Sequence, residues 1–294
     1  MGVPVINIIN EAKRYLYSGH REPINLINNA VDASQTTIEL LYPLATLRAG
    51  AYISVDLEIM HVWSISEAAK TAVVQRAMLG SSSSTHASQS LVTVNPKFPD
   101  FNIHQAIKMC MFDLIGYGLF ATQTETFIYD SAQMQYPLTP DNDAILAGLD
   151  CLYDYPGSSK SWPRINNFEI RRGLVSDDFD GYALKLYEPA FNGRDVHITY
   201  SREFAPLGGY TATQADIPDA YQDVLALGAA LRLQGVREGQ RNFNEAQPET
   251  RRSAEVAAGA QIAATRGLSD FYTNRIRQER STLRRKYPFR RKVL

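Results

Sequence analysis

The sequence predicts an α+β protein, with a β-rich barrel or sandwich body, flanking helices and a long C-terminal α-helical arm. Three observations predict this fold class. Residues 36–95 contain several short runs that alternate apolar and polar side chains, which is the period of strands. Residues 101–120 carry apolar side chains at helical spacing. Residues 253–286 repeat an apolar position every three or four residues without a proline.

The N-terminal region, residues 1–35, is predicted to be helical. A first helix spans residues 5–17, and its apolar face consists of Val5, Ile8, Ile9, Ala12 and Leu16. Ser18-Gly19 is a typical signal for the end of a helix. A second, short helix is predicted over residues 23–30, where Ile24, Leu26 and Ile27 supply the apolar side chains.

The body, residues 36–207, begins with four predicted strands. They cover residues 36–41, 51–63, 70–77 and 90–95. The second is the best strand pattern in the chain: Ile53, Val55, Leu57, Ile59 and His61 alternate with polar or smaller side chains, so we expect them to share one face. Short strands separated by small polar turns are typical of a compact barrel or sandwich.

The second half of the body mixes helices and strands. Helices are predicted over residues 101–120 and 141–153, and strands over residues 124–129, 167–173, 182–187 and 195–200. Asn192-Gly193 is a typical two-residue hairpin turn, and it predicts that the last two strands pair with each other.

The C-terminal region, residues 208–294, is predicted to be a helical domain with a basic end. One helix spans residues 219–239, and a longer one spans residues 253–286 and ends before Pro288. At 1.5 Å per residue the longer helix would measure about 50 Å. Because a small domain is shorter than that, we expect this arm to extend beyond its own body.

Composition and motifs argue against the common enzyme classes. The two cysteines, Cys110 and Cys151, form no CxxC pair, which disfavours a disulfide framework or a cysteine zinc site. No signal peptide or membrane-spanning stretch is evident, so we expect synthesis in a cytoplasm. The motifs of nucleotide-binding loops, serine hydrolases, zinc proteases and EF-hands are missing from the sequence. We therefore expect no enzyme activity, no cofactor and no metal.

Three groups of residues could carry chemistry, and each has a simpler structural interpretation. His61 and His197 lie on predicted strands and could share a metal, but histidines on strands more often pack. Residues 81–86 place serines beside a histidine, yet adjacency in sequence does not create a nucleophile and its base. Residues 177–181 contain Asp177, Asp178 and Asp180, which could bind a cation or form a solvated turn. For all three we favour the structural interpretation.

The basic C-terminal end is the strongest single feature of the sequence. Nine basic residues and one acidic residue follow position 274 and give this end a charge of +8. Because the net charge of the whole chain is −1, residues 1–274 together carry −9. Complementing a helix dipole needs only one or two cations. This end could contact nucleic-acid phosphates, contact an acidic protein surface or line a channel that carries DNA, and we favour docking on a protein partner. The candidate docking residues are Arg275, Arg277, Arg280, Arg284, Arg285, Lys286, Tyr287, Phe289, Arg290, Arg291 and Lys292.

The order of these segments resembles the head-to-tail adaptor, or connector, proteins of long-tailed bacteriophages. The resemblance rests on residues 74–86 with 91–96, on residues 223–233 and 254–260, and on residues 272–289 with their Arg-Arg-Lys-Tyr-Pro sequence. In the first segment the family has an arginine-glycine turn, whereas this chain has Ala77 after Arg76. These motifs are packing patterns and contain no catalytic residues.

The resemblance implies a structural virion protein of the phage neck. Such a protein forms a homo-oligomeric ring, expected to be a dodecamer, that joins the portal protein to the tail-side neck proteins. Genomic DNA passes through the ring without specific recognition, no membrane is involved, and the C-terminal segment docks on the portal. Another neck component, such as a stopper or tail-completion protein, remains an alternative, as does a non-specific DNA-binding accessory protein that uses the basic end.

Overall fold

The structure, a computed structural model, describes residues 2–17, 22–133, 135–139, 145–156, 161–172, 181–245, 260–288 and 291–293. The chain divides into two compact units, and each unit gathers separate stretches of sequence. Unit 1 comprises Met1–Cys110, Leu207–Gln214 and Pro218–Thr273, and unit 2 comprises Met111–Pro206, Ala215–Ile217 and Asn274–Leu294. Helices and strands are both well represented, so the predicted α+β class is confirmed.

Unit 1 contains the N-terminal strands and most of the helical residues. Its strands are β1 (Val3–Pro4), β2 (Ile24–Leu26), β3 (Thr37–Glu39), β4 (Tyr52–Val55), β5 (Glu58–Ser66), β6 (Thr71–Gln75), β7 (Leu91–Val94) and β14 (Thr213–Gln214). The helices of the described chain are α1 (Val5–Tyr17), α2 (Asp100–Gly116), α3 (Gln222–Glu245) and α4 (Ala260–Lys286). None of these helices, within the described residues, is long and apolar enough to cross a bilayer.

The main element of unit 1 is a curled six-stranded half-barrel. Its strand order is β2-β7-β4-β5-β6-β3, and every neighbouring pair is antiparallel. The two edge strands meet through an isolated bridge between Ile27 and Leu40. Alternate side chains point inward and form a buried apolar core that includes Ile38, Ile53, Val55, Met60, Val62, Val74 and Val92. The predicted β-rich, barrel-like architecture is confirmed in this sheet.

The predicted strand over residues 51–63 is in fact two strands. β4 and β5 form a hairpin in which Val55 pairs with Glu58. Asp56 sits in the turn at φ 50, a conformation that short polar residues adopt more readily than other non-glycine residues. The turn also reverses the predicted alternation, because Ile53 and Val55 share the inner face with Met60 and Val62 rather than with His61.

The predicted helix over residues 23–30 is wrong. Residues Ile24–Leu26 form β2, which pairs with β7. Asn25 is buried, and its side chain is hydrogen-bonded to the backbone of Leu26 and Tyr42. The side-chain amide donates to the carbonyl of Tyr42, and Oδ1 accepts from the N–H groups of Leu26 and Tyr42. Such local bonds of asparagine compete with helix formation.

The helices of unit 1 follow the predicted positions closely. α1 has the predicted bounds and buries Val5, Ile8, Ile9 and Ala12. A short 3-10 turn, Asp219–Tyr221, precedes α3, and α3 packs against α1. Gly228 of α3 allows close approach to α2 instead, since an added Cβ would lie 2.9 Å from the Sγ of Cys110 in α2.

Unit 2 consists of two antiparallel sheets around one apolar core. Its strands are β8 (Ala121–Ile128), β9 (Gln135–Leu138), β10 (Ile145–Tyr153), β11 (Phe168–Arg172), β12 (Tyr182–Leu186), β13 (Asp195–Arg202) and β15 (Arg291–Lys292). The sheet orders are β15-β10-β13-β8 and β11-β12-β9. The buried core includes Cys151, Phe168, Ile170, Leu184, Val196, Ile198 and Tyr200.

Two predictions for unit 2 are wrong. The segment predicted as a helix over residues 141–153 contains β10, which pairs along its length with β13; residues 140–144 lie outside the described part. The turn at Asn192-Gly193 is present, with Gly193 at φ 75, but it joins two different sheets. β12 pairs with β9 and β11, and β13 pairs with β8 and β10, so no hairpin forms between them.

Candidate functional site

The C-terminal half of α4 has a buried apolar side and an exposed basic side. Tyr272 and Ile276 are buried, and Leu283, about two turns after Ile276, is half-buried. This spacing matches the predicted apolar stripe over the described part of the helix. The side chains of Arg277, Arg280, Arg284 and Arg285 are exposed, and we call these four residues the basic face.

The basic face carries charge that the described chain does not neutralise. Arg275, at the edge of the same helix, is bonded to Glu279 at 3.0 Å and to Gln278 at 2.9 Å. In contrast, no ion pair among the described residues involves any arginine of the basic face. Arg277, Arg280 and Arg284 recur at helical spacing and so form one stripe along about two turns. These three guanidinium groups can therefore meet one flat anionic surface together.

The end of the chain is anchored in unit 2. Arg291 and Lys292 form β15, which pairs with Gly148 and Ala147 of β10. Val293 bridges to Ile170 and packs against the apolar core of unit 2. A two-residue basic strand has no periodicity of its own, which is why the sequence did not indicate it.

The other predicted docking residues have different surroundings. Lys286 is exposed, and its Nζ lies 5.2 Å from the centre of the ring of Tyr287, which is half-buried. Phe289 and Arg290 lie outside the described residues. Among the predicted docking residues with described side chains, the basic face and Lys286 are therefore the exposed ones.

Unit 1 contains a second polar site, which the sequence did not predict: a buried ionic cluster of Asp56, Glu58, Arg76 and His86. The Nε and Nη2 of Arg76 donate to the two carboxylate oxygens of Glu58, both at 2.7 Å. The Nδ1 of His86 lies 2.8 Å from Asp56, and its Nε2 lies 2.9 Å from Glu58. The side chains of Glu58 and His86 are fully buried.

The geometry of the ionic cluster sets the charge of His86. Both ring nitrogens face carboxylate oxygens, so both contacts are hydrogen bonds only when both nitrogens carry a proton. Burial alone would lower the pKa of His86, but its bonds to Asp56 and Glu58 raise it above the ordinary value. Burial alone would raise the pKa of Glu58, but hydrogen bonds from Arg76, His86 and two backbone N–H groups lower it to about 2.

A charged His86 cannot act as the base of a nucleophile. The Oγ of Ser84 lies 3.5 Å from the Nε2 of His86, but that nitrogen already donates to Glu58. The Oγ of Ser81 donates to the carbonyl of Met78 and accepts from the N–H of Ile59. Ser81 and His86 thus hold the loop over residues 81–86 in place through their hydrogen bonds, whereas the structural interpretation of the sequence was a flexible turn between two strands.

The two histidines considered as metal ligands each have neighbours within their own unit. In unit 1, the ring of His61 lies edge-on between Tyr52 and Trp63, at centroid distances of 5.2 and 5.4 Å. In unit 2, His197 bonds to Thr126 and contacts Trp162. Among the described residues, no group of three or more histidine, cysteine or carboxylate side chains is arranged to hold a metal ion, and the aspartates of residues 177–180 lie outside the described part.

No protein-family model matches this chain, and no curated protein matches it either.

Proposed function

We propose that this protein is a structural virion component that forms a ring in the neck of a tailed bacteriophage, joins the portal to the tail and surrounds the DNA channel. The observation that carries this proposal is the basic face of α4, which offers exposed arginines without acidic partners in the described chain. The segment order, which resembles that of phage adaptors, supports the same proposal.

The chemistry of the basic face suits an acidic protein surface. Arginine binds carboxylates in a bidentate way and loses less conformational freedom per bond than lysine does. Three arginines on one helical stripe would bind a row of carboxylates on the portal. Such contacts accelerate and orient docking more than they increase affinity, and they weaken as salt rises.

A second candidate function uses the same residues on duplex DNA. Arginine also binds phosphate, so the basic face could belong to a non-specific DNA-binding accessory protein. The two candidates differ in the partner that loses affinity when the arginines are removed. Salt dependence alone does not separate them, because both interactions are electrostatic.

The test replaces three arginines of the basic face with glutamine: Arg277, Arg280 and Arg284. Substitution is a sharper test than deletion of the last residues, because deletion would also remove β15 from its sheet. The matched control, which also removes three exposed cations, replaces Arg48, Lys97 and Lys108. Binding is measured to the isolated portal ring of the same phage and to a duplex DNA fragment.

Loss of portal binding in the basic-face variant, with the control unchanged, is the expected result. If duplex binding is lost instead, with a steep dependence on salt in the parent protein, the accessory function is correct. If the basic-face variant binds the portal as the parent does, the proposed docking is wrong. Negative-stain imaging of the parent with its portal then tests the ring directly.

A further inference from the structure

β8 forms one edge of its four-stranded sheet in unit 2. It pairs with β13 along eight consecutive residues, Ala121–Ile128, without a bulge. Just beyond β8, the N–H of Tyr129 donates to the carbonyl of Arg194, and the carbonyl of Tyr129 accepts from the N–H of Gly193. Because backbone groups alternate sides along a strand, the odd-numbered residues of β8 bond to β13, and the even-numbered residues direct their N–H and C=O groups to the open side. These even-numbered residues are Thr122, Thr124, Thr126 and Ile128.

Side-chain contacts between β8 and β13 agree with this register. Oγ1 of Thr124 lies 2.9 Å from Oγ1 of Thr199, and Oγ1 of Thr126 lies 2.8 Å from Nδ1 of His197. Opposing side chains of an antiparallel pair lie closest where the two residues are not joined by backbone hydrogen bonds. Thr124 and Thr126 therefore form such pairs with β13, and their backbone groups are available for a further strand.

β8 lacks the features that usually prevent pairing at a sheet edge. Natural proteins protect an edge with lysine, proline, a bulge or a very short strand. β8 is eight residues long and contains no lysine and no proline. The opposite edge of the same sheet is covered, because β15 pairs with Ala147 and Gly148 of β10, and the backbone of Pro163 and Ile165 bonds further along β10. The chain thus protects one edge and, within the described residues, leaves the backbone of the other unpaired.

β9 approaches β8 through side chains on the inner face of β8. Oε1 of Glu125 accepts from the N–H of Thr139 at 3.0 Å, and the side-chain amide of Gln123 donates to the carbonyl of Thr139 at 3.3 Å. The ring of Phe127 stacks on Tyr136, with the ring centres 4.2 Å apart. These three residues are odd-numbered, so their contacts do not use the backbone groups on the open side of β8.

A row of alternating N–H and C=O groups fits an extended polypeptide. The groups recur every two residues, about 7 Å apart, which is the repeat of a neighbouring strand. Glu125 is the only charged residue of β8, so this edge offers no cations to nucleic-acid phosphates or to an anionic membrane. Antiparallel pairing over most of β8 with a second copy would bring two Glu125 carboxylates to one face within two positions of each other, which disfavours self-pairing.

We propose that an extended segment of a different protein adds to the open edge of β8 as a further strand. The added strand continues both faces of the sheet. On the outer face, threonine or a β-branched residue suits the neighbouring threonines, and on the inner face a lysine or arginine suits Glu125. This binding surface includes no residue of the basic face and goes beyond the proposed function.

The test compares proline with alanine at two positions of β8. Thr124→Pro removes an N–H group on the open side and leaves the bonds to β13 in place. Thr124→Ala is the matched control, because both variants lose the hydroxyl contact with Thr199 but alanine keeps the N–H. Thr126→Pro and Thr126→Ala repeat the comparison, and both lose the contact with His197. Far-UV circular dichroism verifies that the variants fold.

The probe is a fluorescent eight-residue peptide of alternating threonine and valine with one central lysine. Fluorescence anisotropy measures its binding to the full chain. We expect the proline variants to bind at least tenfold more weakly than the parent and the alanine controls. The same peptide with glutamate in place of lysine should bind about two- to fivefold more weakly, because of Glu125. A peptide with N-methyl groups along both edges should not bind, and this comparison does not depend on the folding of any variant.

Amide hydrogen exchange of the parent, resolved by residue, locates the added strand. In the free protein, the N–H groups of the even-numbered residues of β8 should exchange quickly and those of the odd-numbered residues slowly. The peptide should slow exchange at the even-numbered residues. Slow exchange at all residues of β8 in the free protein, no binding of the peptide, or equal binding by the proline and alanine variants would overturn the proposal. Protection that grows with protein concentration in the absence of peptide would also overturn it, because the edge would then pair with a second copy.

Discussion

Replacement of Glu58 with glutamine tests how much the ionic cluster stabilises unit 1. Glutamine keeps the size of the side chain, so no cavity forms. The change removes the negative charge that faces both Arg76 and His86. The side chain of Arg76 is only 8% exposed and would keep its charge without its main counterion.

Two independent estimates of the loss in unfolding free energy in Glu58→Gln agree in size. Removal of one partner of a buried ion pair costs about 3–5 kcal/mol, because the other charge stays buried and uncompensated. A pKa of Glu58 lowered from 4.5 to about 2 corresponds to about 3 kcal/mol. Since domains are typically stable by about 5–15 kcal/mol, the variant should lose a large part of the stability of unit 1.

Urea unfolding, followed by fluorescence, measures this loss in one unit at a time. The chain has two tryptophans, Trp63 in unit 1 and Trp162 in unit 2, so a Trp162→Phe background reports on unit 1 alone. Glu39→Gln is the control in the same half-barrel, because the Glu39 carboxylate accepts bonds from two asparagine side chains, with no ion pair among the described residues. We expect the control to lose about 1 kcal/mol or less.

A loss below about 1 kcal/mol in Glu58→Gln, or a loss no larger than that of the control, would refute the reasoning. Adding Arg76→Gln removes both charges of the pair. The double variant should therefore lose less than the sum of the two single losses, since no uncompensated charge remains between them.

Further predictions concern pH and the backbone of both units. The unfolding free energy should fall as pH drops from about 4.5 toward 2, because the pKa of Glu58 is lower in the folded than in the unfolded chain. It should also fall as pH rises above about 6.5, because the pKa of His86 is higher in the folded than in the unfolded chain. Urea titrations across pH measure both changes, and His86→Gln should abolish the decline on the alkaline side. Ala77→Gly should stabilise the protein by about 0.5–1 kcal/mol in urea unfolding, since relief of the left-handed strain exceeds the added freedom of the unfolded chain. Gly148→Ala should cost about 1–3 kcal/mol, because its Cβ would lie 2.7 Å from a side chain of β11, whereas Gly116→Ala, with open space around it, should be tolerated.

The elements with a clear local pattern could be predicted from the sequence. α1 has the predicted bounds, because its apolar residues recur at helical spacing and face a buried surface. β10 could not be predicted, because Leu and Ala in residues 145–153 favour a helix, and the pairing with β13 overrides that local preference. The need for glycine at position 148 also arises from tertiary packing, since Gly148 provides space for the side chain of Phe168.

The candidate sites differ in the same way. The basic face could be predicted because its arginines are close together in the sequence and follow one helical period. The ionic cluster could not, because Asp56, Glu58, Arg76 and His86 come from three segments that meet only after β4, β5 and β6 have paired. Acidic and basic residues at these separations occur in any soluble chain, so composition gave no signal for them.

Ala77 lies in the turn over residues 77–80 and is hydrogen-bonded to the ionic cluster. Its φ of 55 lies in the left-handed region, where glycine would fit without strain. A strained alanine requires compensation, and the hydrogen bond from its N–H to the buried carboxylate of Glu58 supplies part of it. The effects of Ala77→Gly and Glu58→Gln should therefore depend on each other: glycine at position 77 should reduce the loss caused by glutamine at position 58. Strictly additive effects would mean that the ionic cluster stabilises the half-barrel without holding the turn.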